Sequence, residues 1–377
     1  MLPSQRHLFD IPDDVVWLNC AYMAPLLRAV SKAGEDGIRR KIHPWTITPP
    51  DFFNEAERAR RLFARLIGCD TDSVALTPSA SYGVSVAARN VSLCAGQNIV
   101  ILDEQYPSNV YAWMEAARRA GAGLSAVARP VDGAWSDAVI DAIDDRTAVA
   151  ALPHCHWTDG ALMDLERIGA RCRETGAALV LDLTQSLGAL PFDVGAVRPD
   201  FISVACYKWL LGPYASGFLY AAPRYHDGNP IEYNWITRGG SEDFAGLVEY
   251  RKDYQPGARR FDMGERANFH LLPMTIAALE QVLEWGVEAI ASSLETRTRG
   301  IAERTAKLGL ESLTRERRAG HFLGLRFPEG LPAGLPDALA RRGIFVSVRG
   351  NSLRVTPHLY NTDTDVDRLL DALEALV

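Results

Sequence analysis

The sequence predicts an α/β fold, with a mostly parallel sheet in a large domain and a smaller α+β domain after it. Two patterns carry this prediction. Between residues 70 and 220, short apolar runs alternate with longer amphipathic runs, the order that parallel strands joined by crossover helices produce. After residue 257, one long helical stretch precedes short strands and a terminal helix. The length of 377 residues also suits two domains better than one.

The strands expected in the large domain are short apolar runs. In chain order they cover residues 74–77, 98–102, 124–128, 148–152, 179–182 and 201–205. Stretches with helical periodicity lie between them, at residues 81–90, 110–119, 135–143 and 165–175. The next apolar run, 216–220, follows too closely for a crossover helix, so it is predicted to return antiparallel.

A segment rich in proline, glycine and charged residues, 223–257, separates this alternation from the rest. The elements expected beyond it are a helix over 274–291, strands at 321–327 and 344–348, and a helix over 365–376. We therefore predict a division into three parts. They are an N-terminal segment, 1–30, that packs with the small domain, a large domain, 31–255, and a small domain, 256–377.

Composition and charge argue against several function classes. The net charge of −7 disfavours a nucleic-acid partner, which would require a basic surface. No apolar run approaches the roughly 20 residues that cross a bilayer, and the first residues lack the apolar stretch of a secretory signal. The six cysteines form no C-x-x-C pair, which favours free thiols in a reducing compartment. We expect a cytoplasmic protein.

Lysine is rare in this sequence, and one lysine occupies an unusual place. Only five of the 40 basic residues are lysines, and Lys208 comes just after the apolar strand 201–205. A lysine at a strand end can simply extend its ammonium group to solvent. An amine in an apolar pocket, in contrast, has a lowered pKa that suits Schiff-base chemistry. The scarcity of lysine favours the second interpretation.

Asp182 ends the strand before Lys208. By itself an acid there more often caps a helix. Because the carboxyl ends of parallel strands meet at one edge of a sheet, we expect both side chains in one crevice. Pyridoxal phosphate requires such a pair, since a carboxylate keeps its pyridine nitrogen protonated and a lysine holds its aldehyde and moves protons at the substrate's α-carbon.

Three further features fit the rest of this cofactor and a substrate. Residues 77–83 run from a strand into a helix, where backbone N–H groups can bind a phosphate. Tyr106 follows another strand and can stack on the ring. Arg354 lies in an apolar strand pattern and can bind a carboxylate with its bidentate guanidinium. Each signal is weak alone, because helix caps, packed aromatic rings and surface arginines are common.

Taken together, the motifs resemble the class V aminotransferase group of fold-type I pyridoxal-phosphate enzymes over nearly the whole chain. They are Trp17-Leu18-Asn19, Ser79-Ala80-Ser81, Tyr106-Pro107-Ser108-Asn109, Asp182-x-x-Gln185, Tyr207-Lys208-Trp209-x-x-Gly212-Pro213, Arg260-Phe261-x-x-Gly264 and Arg354-Val355-x-Pro357. The segments around Tyr106 and Lys208 are most similar to the kynureninase-like and isopenicillin-epimerase-like branch.

The resemblance implies roles in the chemistry for five matching positions. Lys208 would form the Schiff base, and Asp182 would pair with the ring nitrogen. Gln185 would reach either the ring hydroxyl or the region of the Schiff base, and His156 would lie beside the ring as a further catalytic residue. Arg354 would bind the α-carboxylate of an amino-acid substrate.

The resemblance also implies which residues hold the cofactor. Tyr106 would stack on the ring, while Ser79, Ala80, Ser81 and Tyr207 would bind the phosphate.

A homodimer with its active site at the subunit interface is a further implication of the resemblance. Residues 264–268 would then reach the neighbour's phosphate, with Asn268 among the ligands. Relatives often have threonine after the glycine of the Arg-Phe-x-x-Gly motif, whereas this chain has Glu265. Because a carboxylate is a poor phosphate ligand, the contact is expected to fall to Arg266 or Asn268, or to be absent.

Cysteine desulfurases of the same group require a nucleophilic cysteine on a late loop, and no cysteine follows Cys206 here. The usual desulfurase mechanism is therefore nearly excluded. His154 and His156 flank Cys155 like a metal cluster, but no further ligands lie at suitable spacing for zinc.

Three function hypotheses follow from the resemblance. The default is transamination of an α-amino acid, and the alternative is a lyase, epimerase or racemase reaction on the same cofactor. The third, a non-catalytic cofactor-binding protein, conflicts with the intact set of Lys208, Asp182 and Arg354. Residues beyond the cofactor decide between the first two. Candidates are His156, Trp235, Arg238 and His358, for which ordinary packing or surface roles are equally compatible.

Overall fold

Twelve strands and eleven α-helices make up the regular structure of the 377 residues, all of which the computed structural model describes. The strands are β1 (Val16–Trp17), β2 (Val74–Thr77), β3 (Asn98–Leu102), β4 (Gly123–Val127), β5 (Thr147–Pro153), β6 (Ala178–Asp182), β7 (Phe201–Ala205), β8 (Gly217–Ala221), β9 (Leu323–Arg326), β10 (Ile344–Phe345), β11 (Ser347–Arg349) and β12 (Ser352–Val355). The helices are α1 (Arg28–Ile42), α2 (Asn54–Ile67), α3 (Ala80–Asn90), α4 (Tyr111–Ala120), α5 (Trp135–Ala142), α6 (Leu165–Thr175), α7 (Val194–Val197), α8 (Leu271–Trp285), α9 (Val287–Ala306), α10 (Leu335–Ala340) and α11 (Asp363–Glu374).

The central sheet has seven strands in the order β2-β8-β7-β6-β5-β3-β4. The pairs from β4 to β7 are all parallel, whereas β8 runs antiparallel to both β7 and β2. Every strand and helix expected between residues 74 and 221 is present with ends shifted by at most one residue. The mostly parallel α/β fold and the antiparallel return are therefore confirmed.

Both faces of this sheet are covered, which explains why its strands are apolar throughout. Two separate clusters of buried side chains lie on its two sides, with Leu76, Leu152 and Phe218 in one and Val149, Phe201 and Leu219 in the other. None of the helices is both long and apolar enough to cross a membrane.

The helix expected over 274–291 is wrong in one respect, because two helices replace it. α8 ends and α9 begins at Gly286, whose φ of 78° lies in the left-handed region. Glycine adopts this conformation without a steric penalty, so the chain turns there. Both helices bury apolar side chains, so the apolar periodicity of the sequence continues through the turn. The break at Gly286 therefore cannot be recognised from this periodicity.

A second sheet of three antiparallel strands has the order β11-β12-β9. The expected strand at 344–348 is divided in two, because β10 pairs with β1 from the N-terminal segment while β11 turns back along β12. Residues 223–257 contain only short 3-10 turns between irregular segments. The exact division into residues 1–30, 31–255 and 256–377 stays a prediction.

Candidate active site

A cavity of about 220 Å³ opens at the carboxyl ends of the central parallel strands. It lies between the N-terminus of α3, the segments after β3, β5, β6 and β7, and the turn before β8. The structure brings eight of the predicted site residues together in its lining. They are Ser79, Ala80, Ser81, Tyr106, Asp182, Gln185, Tyr207 and Lys208.

Asp182 is the last residue of β6 and is only 7 % exposed. Its Oδ1 accepts a hydrogen bond from Thr184 N at 3.0 Å. Burial raises the pKa of this carboxyl group, and the Thr184 contacts and the charge of Lys208 act in the opposite direction. No cation pairs with Asp182 directly, so it is a buried acceptor that can receive a proton or a cationic ligand group.

Lys208 follows β7 by three residues and is 6 % exposed. Burial lowers its pKa to about 8, assisted by the charges of Arg354 and Arg349, while the charge of Asp182 raises it. The ammonium lies 5.7 Å from the ring centre of Tyr106 and 5.5 Å from that of Tyr207. The neutral, nucleophilic form of this amine is therefore accessible near neutral pH, although the protonated form dominates there.

The N-terminus of α3 forms an anion site at one end of the cavity. Ser79 caps the helix, with its hydroxyl accepting from Tyr82 N at 3.2 Å and lying 2.9 Å from the hydroxyl of Ser81. The N–H groups of the first helical turn have no partner within the helix, and the helix dipole adds positive potential there. Gly83 allows the helix to lie close to the sheet, because any larger side chain at this position would collide with Ser203.

Aromatic side chains form the walls of the cavity. Tyr106 meets Trp157 edge to face at 5.6 Å, and the rings of Tyr207 and Tyr214 lie 4.7 Å apart. This arrangement leaves a slot suited to a flat ring.

The side chain of Gln185 is held from behind. Its amide Nε2 donates to Ala21 O at 3.0 Å, and its Oε1 accepts from Trp209 Nε1 at 3.2 Å. The backbone carbonyl of Gln185 accepts from His321 Nε2 at 2.6 Å and from Cys155 Sγ at 3.4 Å. These bonds fix the residue at the wall of the cavity.

His156 does not line the cavity, which corrects the catalytic position expected for it. Its ring is fully buried, stacks on Trp135 at 5.4 Å and contacts Thr158 Oγ1 at 2.7 Å. Alternate residues of an extended segment face opposite sides, so the neighbours Cys155 and Trp157 line the cavity instead. Burial lowers the pKa of His156, which stays neutral within this packing.

Asn268 also lies outside the cavity of this chain. Its Oδ1 accepts from Leu271 N at 3.0 Å at the start of α8. Of the proposed substitutes for the missing threonine, Arg266 is fully buried and forms an ion pair with Asp262, while Glu265 is exposed and has no ion pair. Arg266 is therefore committed to the interior.

Arg354 lies behind the wall of the cavity rather than in it. Its Nε and Nη2 donate to Ser347 Oγ at 2.9 and 2.7 Å, and its Nη1 donates to Trp157 O at 3.0 Å. The residue is 1 % exposed and has no carboxylate partner. Burial and the charge of Arg349 lower its pKa to about 9. Arg354 thus carries a buried charge that the chain itself does not neutralise.

The other candidates beyond the cofactor do not line the cavity. Trp235 belongs to an aromatic surface cluster with Phe52 and Phe244, and Arg238 stacks on Tyr254 at 4.0 Å. His358 is fully buried beside Trp209, with neither ring nitrogen hydrogen-bonded.

Cys155, Trp157 and Thr184 are among the lining residues that the sequence reasoning did not assign to the site. Thr184 Oγ1 accepts from Ala205 N at 3.1 Å and so joins the ends of β6 and β7. The signal for Cys155 and Trp157 was their place just after β5, a strand end that faces the same edge of the sheet.

The donor set fits pyridoxal phosphate. A buried carboxylate without a cation, a buried amine without an ion pair, a helix N-terminus and an aromatic slot all face one cavity. These groups match the ring nitrogen, the aldehyde, the phosphate and the ring of that cofactor.

Comparisons with known proteins agree with this fit. The model of the family described as aminotransferase class-V matches residues 49–369. The uncharacterised aminotransferase YcbU of Bacillus subtilis (strain 168) is 26 % identical over 99 % of this chain and 98 % of its own length. Isopenicillin N epimerase of Streptomyces clavuligerus is 27 % identical over 85 % of this chain and 84 % of its own length. Kynureninase of Pseudomonas fluorescens is 27 % identical over 87 % of this chain and 77 % of its own length.

Solved structures share the fold over the whole chain. A mutant of C-DES, with glycine covalently linked to its PLP cofactor, has a TM-score of 0.88 and 17 % identity, covering 99 % of this chain and 100 % of its own. The apo cysteine desulfurase of Thermococcus onnurineus NA1 has a TM-score of 0.86 and 18 % identity, covering 100 % of this chain and 99 % of its own.

Proposed function

The chain belongs to the class V aminotransferase family of pyridoxal-phosphate enzymes, and from this premise we propose that it transaminates an α-amino acid with Lys208 as the residue that binds the cofactor covalently. The observation that carries the proposal is the buried Lys208, with a pKa of about 8, in one cavity with the buried carboxylate of Asp182. A lysine placed in this way serves both as a nucleophile and as a proton carrier.

Each group of the cavity has one task in this proposal. When bound, pyridoxal phosphate supplies a ring that withdraws electrons from the substrate's α-carbon. Asp182 holds a proton at the ring nitrogen, where its buried negative charge stabilises the cation. The N-terminus of α3 with Ser79 and Ser81 binds the phosphate. Lys208 moves a proton at the α-carbon, because its lowered pKa allows both protonation states near neutral pH.

We assign the substrate's α-carboxylate to Arg354. The guanidinium is buried with only neutral hydrogen-bond acceptors, Ser347 Oγ and Trp157 O. A carboxylate would supply the negative charge that the protein withholds and would form charge-assisted hydrogen bonds. Substrate entry would then require the Arg354 side chain to exchange its contact with Trp157 for the substrate.

A lyase or epimerase reaction is the second candidate, favoured by the similarity to isopenicillin N epimerase and kynureninase. A desulfurase of the usual kind is not proposed, because the last cysteine of the sequence, Cys206, is only 1 % exposed and does not line the cavity.

We also propose a homodimer. Several large aromatic and aliphatic side chains of α1, the turn after it and the segment 233–250 are exposed, a feature typical of a surface that a partner covers. They include Ile38, Ile42, Trp45, Tyr233, Trp235, Val248 and Tyr250. Sedimentation of the purified protein tests this, and a monomer at micromolar concentration contradicts it.

The visible absorption spectrum of the protein purified with pyridoxal phosphate tests the proposed function. We expect a cofactor band that Lys208→Ala loses or alters, and amino acids that convert the band to the pyridoxamine form. Turnover without this conversion favours the lyase or epimerase reaction. Folded wild-type protein without a cofactor band contradicts the proposal.

A further inference from the structure

A second cavity of about 340 Å³ adjoins the first one behind Trp157. The two cavities share no lining residue, yet adjacent residues divide them: Gln105 and Trp157 line the first, and Glu104 and Thr158 line the second. The two cavities therefore lie on either side of a wall formed by residues 104–105 and 157–158, with the ring of Trp157 between them.

Three arginines line the second cavity, and two of them are neutralised by the chain. Arg129 forms ion pairs with Glu104 at 2.8 Å and with Asp159 at 2.5 Å, and Arg326 pairs with Glu311 at 2.9 Å. Arg349 has no ion pair, and the only hydrogen bond that its side chain makes goes from Nη1 to Val348 O at 2.7 Å. Its remaining N–H donors are available to a ligand.

The position of Arg349 follows from the register of the small sheet. Ser347 is paired with Arg354, and Arg349 with Ser352, so all four side chains lie on one face. The hydroxyl of Ser352 is buried and has no hydrogen-bond partner. This face carries two arginines without carboxylate partners, Arg354 and, diagonally from it, Arg349.

Trp157 connects the two arginines. Its backbone carbonyl accepts from Arg354, while the Arg349 guanidinium lies 5.5 Å from the centre of its ring. Burial is the main cause of the lowered pKa of both Lys208 and Arg354, and the charge of Arg349 contributes to both shifts. Both guanidinium groups therefore contact Trp157, which lines the cavity that contains Lys208.

We propose that Arg349 is a specificity-determining residue that binds a distal carboxylate, so that the substrate is an α-amino acid whose side chain ends in a carboxylate. The proposal rests on the proposed function, with Arg354 at the α-carboxylate. One arginine then faces each end of a dicarboxylic substrate, and Trp157 packs against the chain between them. The planar fork of arginine suits a carboxylate better than the amide of a neutral analogue.

Kinetics with matched amino acids test the proposal. We expect aspartate, glutamate or 2-aminoadipate to react at least tenfold better, in kcat/KM, than the corresponding amides, and Arg349→Met to remove this preference by lowering kcat/KM for the acids more than for the amides. Arg349→Lys, which keeps the charge but not the fork, should retain part of it. Arg326→Met is the matched control, since it lines the same cavity but is paired with Glu311. Equal reaction of acids and amides in the wild type, or an unchanged preference in Arg349→Met, overturns the proposal.

A binding measurement separates this proposal from the proposed function. Calorimetry with glutarate and its monoamide requires no turnover, and we expect the wild type to bind glutarate at least tenfold more tightly and Arg349→Met to bind both equally. Absence of that difference in the wild type overturns the Arg349 assignment, whatever reaction the protein catalyses. A cofactor band with conversion of neutral amino acids only would leave the proposed function standing and the Arg349 assignment refuted.

Discussion

Two groups of buried arginines in this protein differ in how their charge is balanced. Arg60 and Arg266 are fully buried on either side of Asp262, which accepts from Arg60 Nη2 at 2.7 Å and also pairs with Arg266. Asp262 accepts in addition from Leu76 N at 2.7 Å. Arg354 is equally buried, but its hydrogen bonds go only to neutral oxygens. The charges of Arg60 and Arg266 are thus balanced by a carboxylate of the chain itself, whereas the charge of Arg354 is not.

The difference teaches that a buried charge has to be considered together with its surroundings. Burying a cation is costly unless an anion and hydrogen bonds compensate it. An unpaired cation beside a cavity indicates that a ligand provides the anion. Arg318 shows why the cavity matters, since it is also buried without an ion pair, but it donates to Thr298 Oγ1 at 3.1 Å away from both cavities.

Removing the carboxylate of Asp262, which balances Arg60 and Arg266, should have the largest effect on stability. We expect Asp262→Asn to lower the free energy of unfolding by about 3–5 kcal/mol, because two buried guanidinium groups lose their only shared anion. The urea midpoint measures this at constant slope. Asp10→Asn, at an exposed pair with Arg28, is the control and should leave the midpoint nearly unchanged. A small effect at Asp262 would remove the distinction between the two groups.

Removing the unpaired arginine should have the opposite pattern. Arg354→Met should lower kcat/KM for amino acids roughly 30- to 150-fold, since hydrogen bonds to a charged group contribute about 2–3 kcal/mol. The free energy of unfolding should stay the same or rise, because the variant no longer buries an uncompensated cation. Arg318→Met serves as the matched control for kinetics. Substantial destabilisation by Arg354→Met alone would assign Arg354 to the structural group.

Lys208 extends the comparison to pH, because it too is a buried cation without an ion pair. Its pKa is lowered to about 8, so the protonated form dominates below that pH and the nucleophilic neutral form above it. The rate at which apoprotein captures pyridoxal phosphate should rise about tenfold per pH unit up to about pH 8 and then level off. Stopped-flow absorbance measures it.

Asp182→Asn sharpens this pH profile. The charge of Asp182 raises the pKa of Lys208, so its removal should shift the midpoint to lower pH. A midpoint near pH 10 in the wild type would contradict the burial of a free amine.

The smallest effect is expected at exposed pairs. Arg118 and Glu115 are 2.6 Å apart on the surface of α4, with 70 % and 43 % of their side chains exposed. Glu115→Gln should leave the urea midpoint within measurement error, because solvent screens both charges. A clear shift would show that distance alone, without burial, governs the strength of ion pairs here.

Much of the fold could be predicted because its signals are local. The alternation of apolar and amphipathic runs located every element expected from β2 to β8 to within one residue, and the short spacing before β8 revealed its direction. The break at Gly286 was missed, since the apolar periodicity runs through it. The sequence also did not reveal which side of the extended segment after β5 faces the cavity. His156 was predicted to face it, whereas Cys155 and Trp157 do so.

The sequence by itself determined the fold class, the family and the wall of the cavity that faces the cofactor. Asp182 ends β6 and Lys208 follows the end of the neighbouring parallel strand β7, and strand order along the chain is enough to bring such ends together. Only the tertiary structure showed which side chains lie behind Trp157, on the other side of the cavity wall. Arg349 and Arg354 reach Trp157 through a separate sheet nearly two hundred residues farther along the chain. Whether a guanidinium finds a carboxylate depends on long-range packing, which a local pattern of residues does not encode.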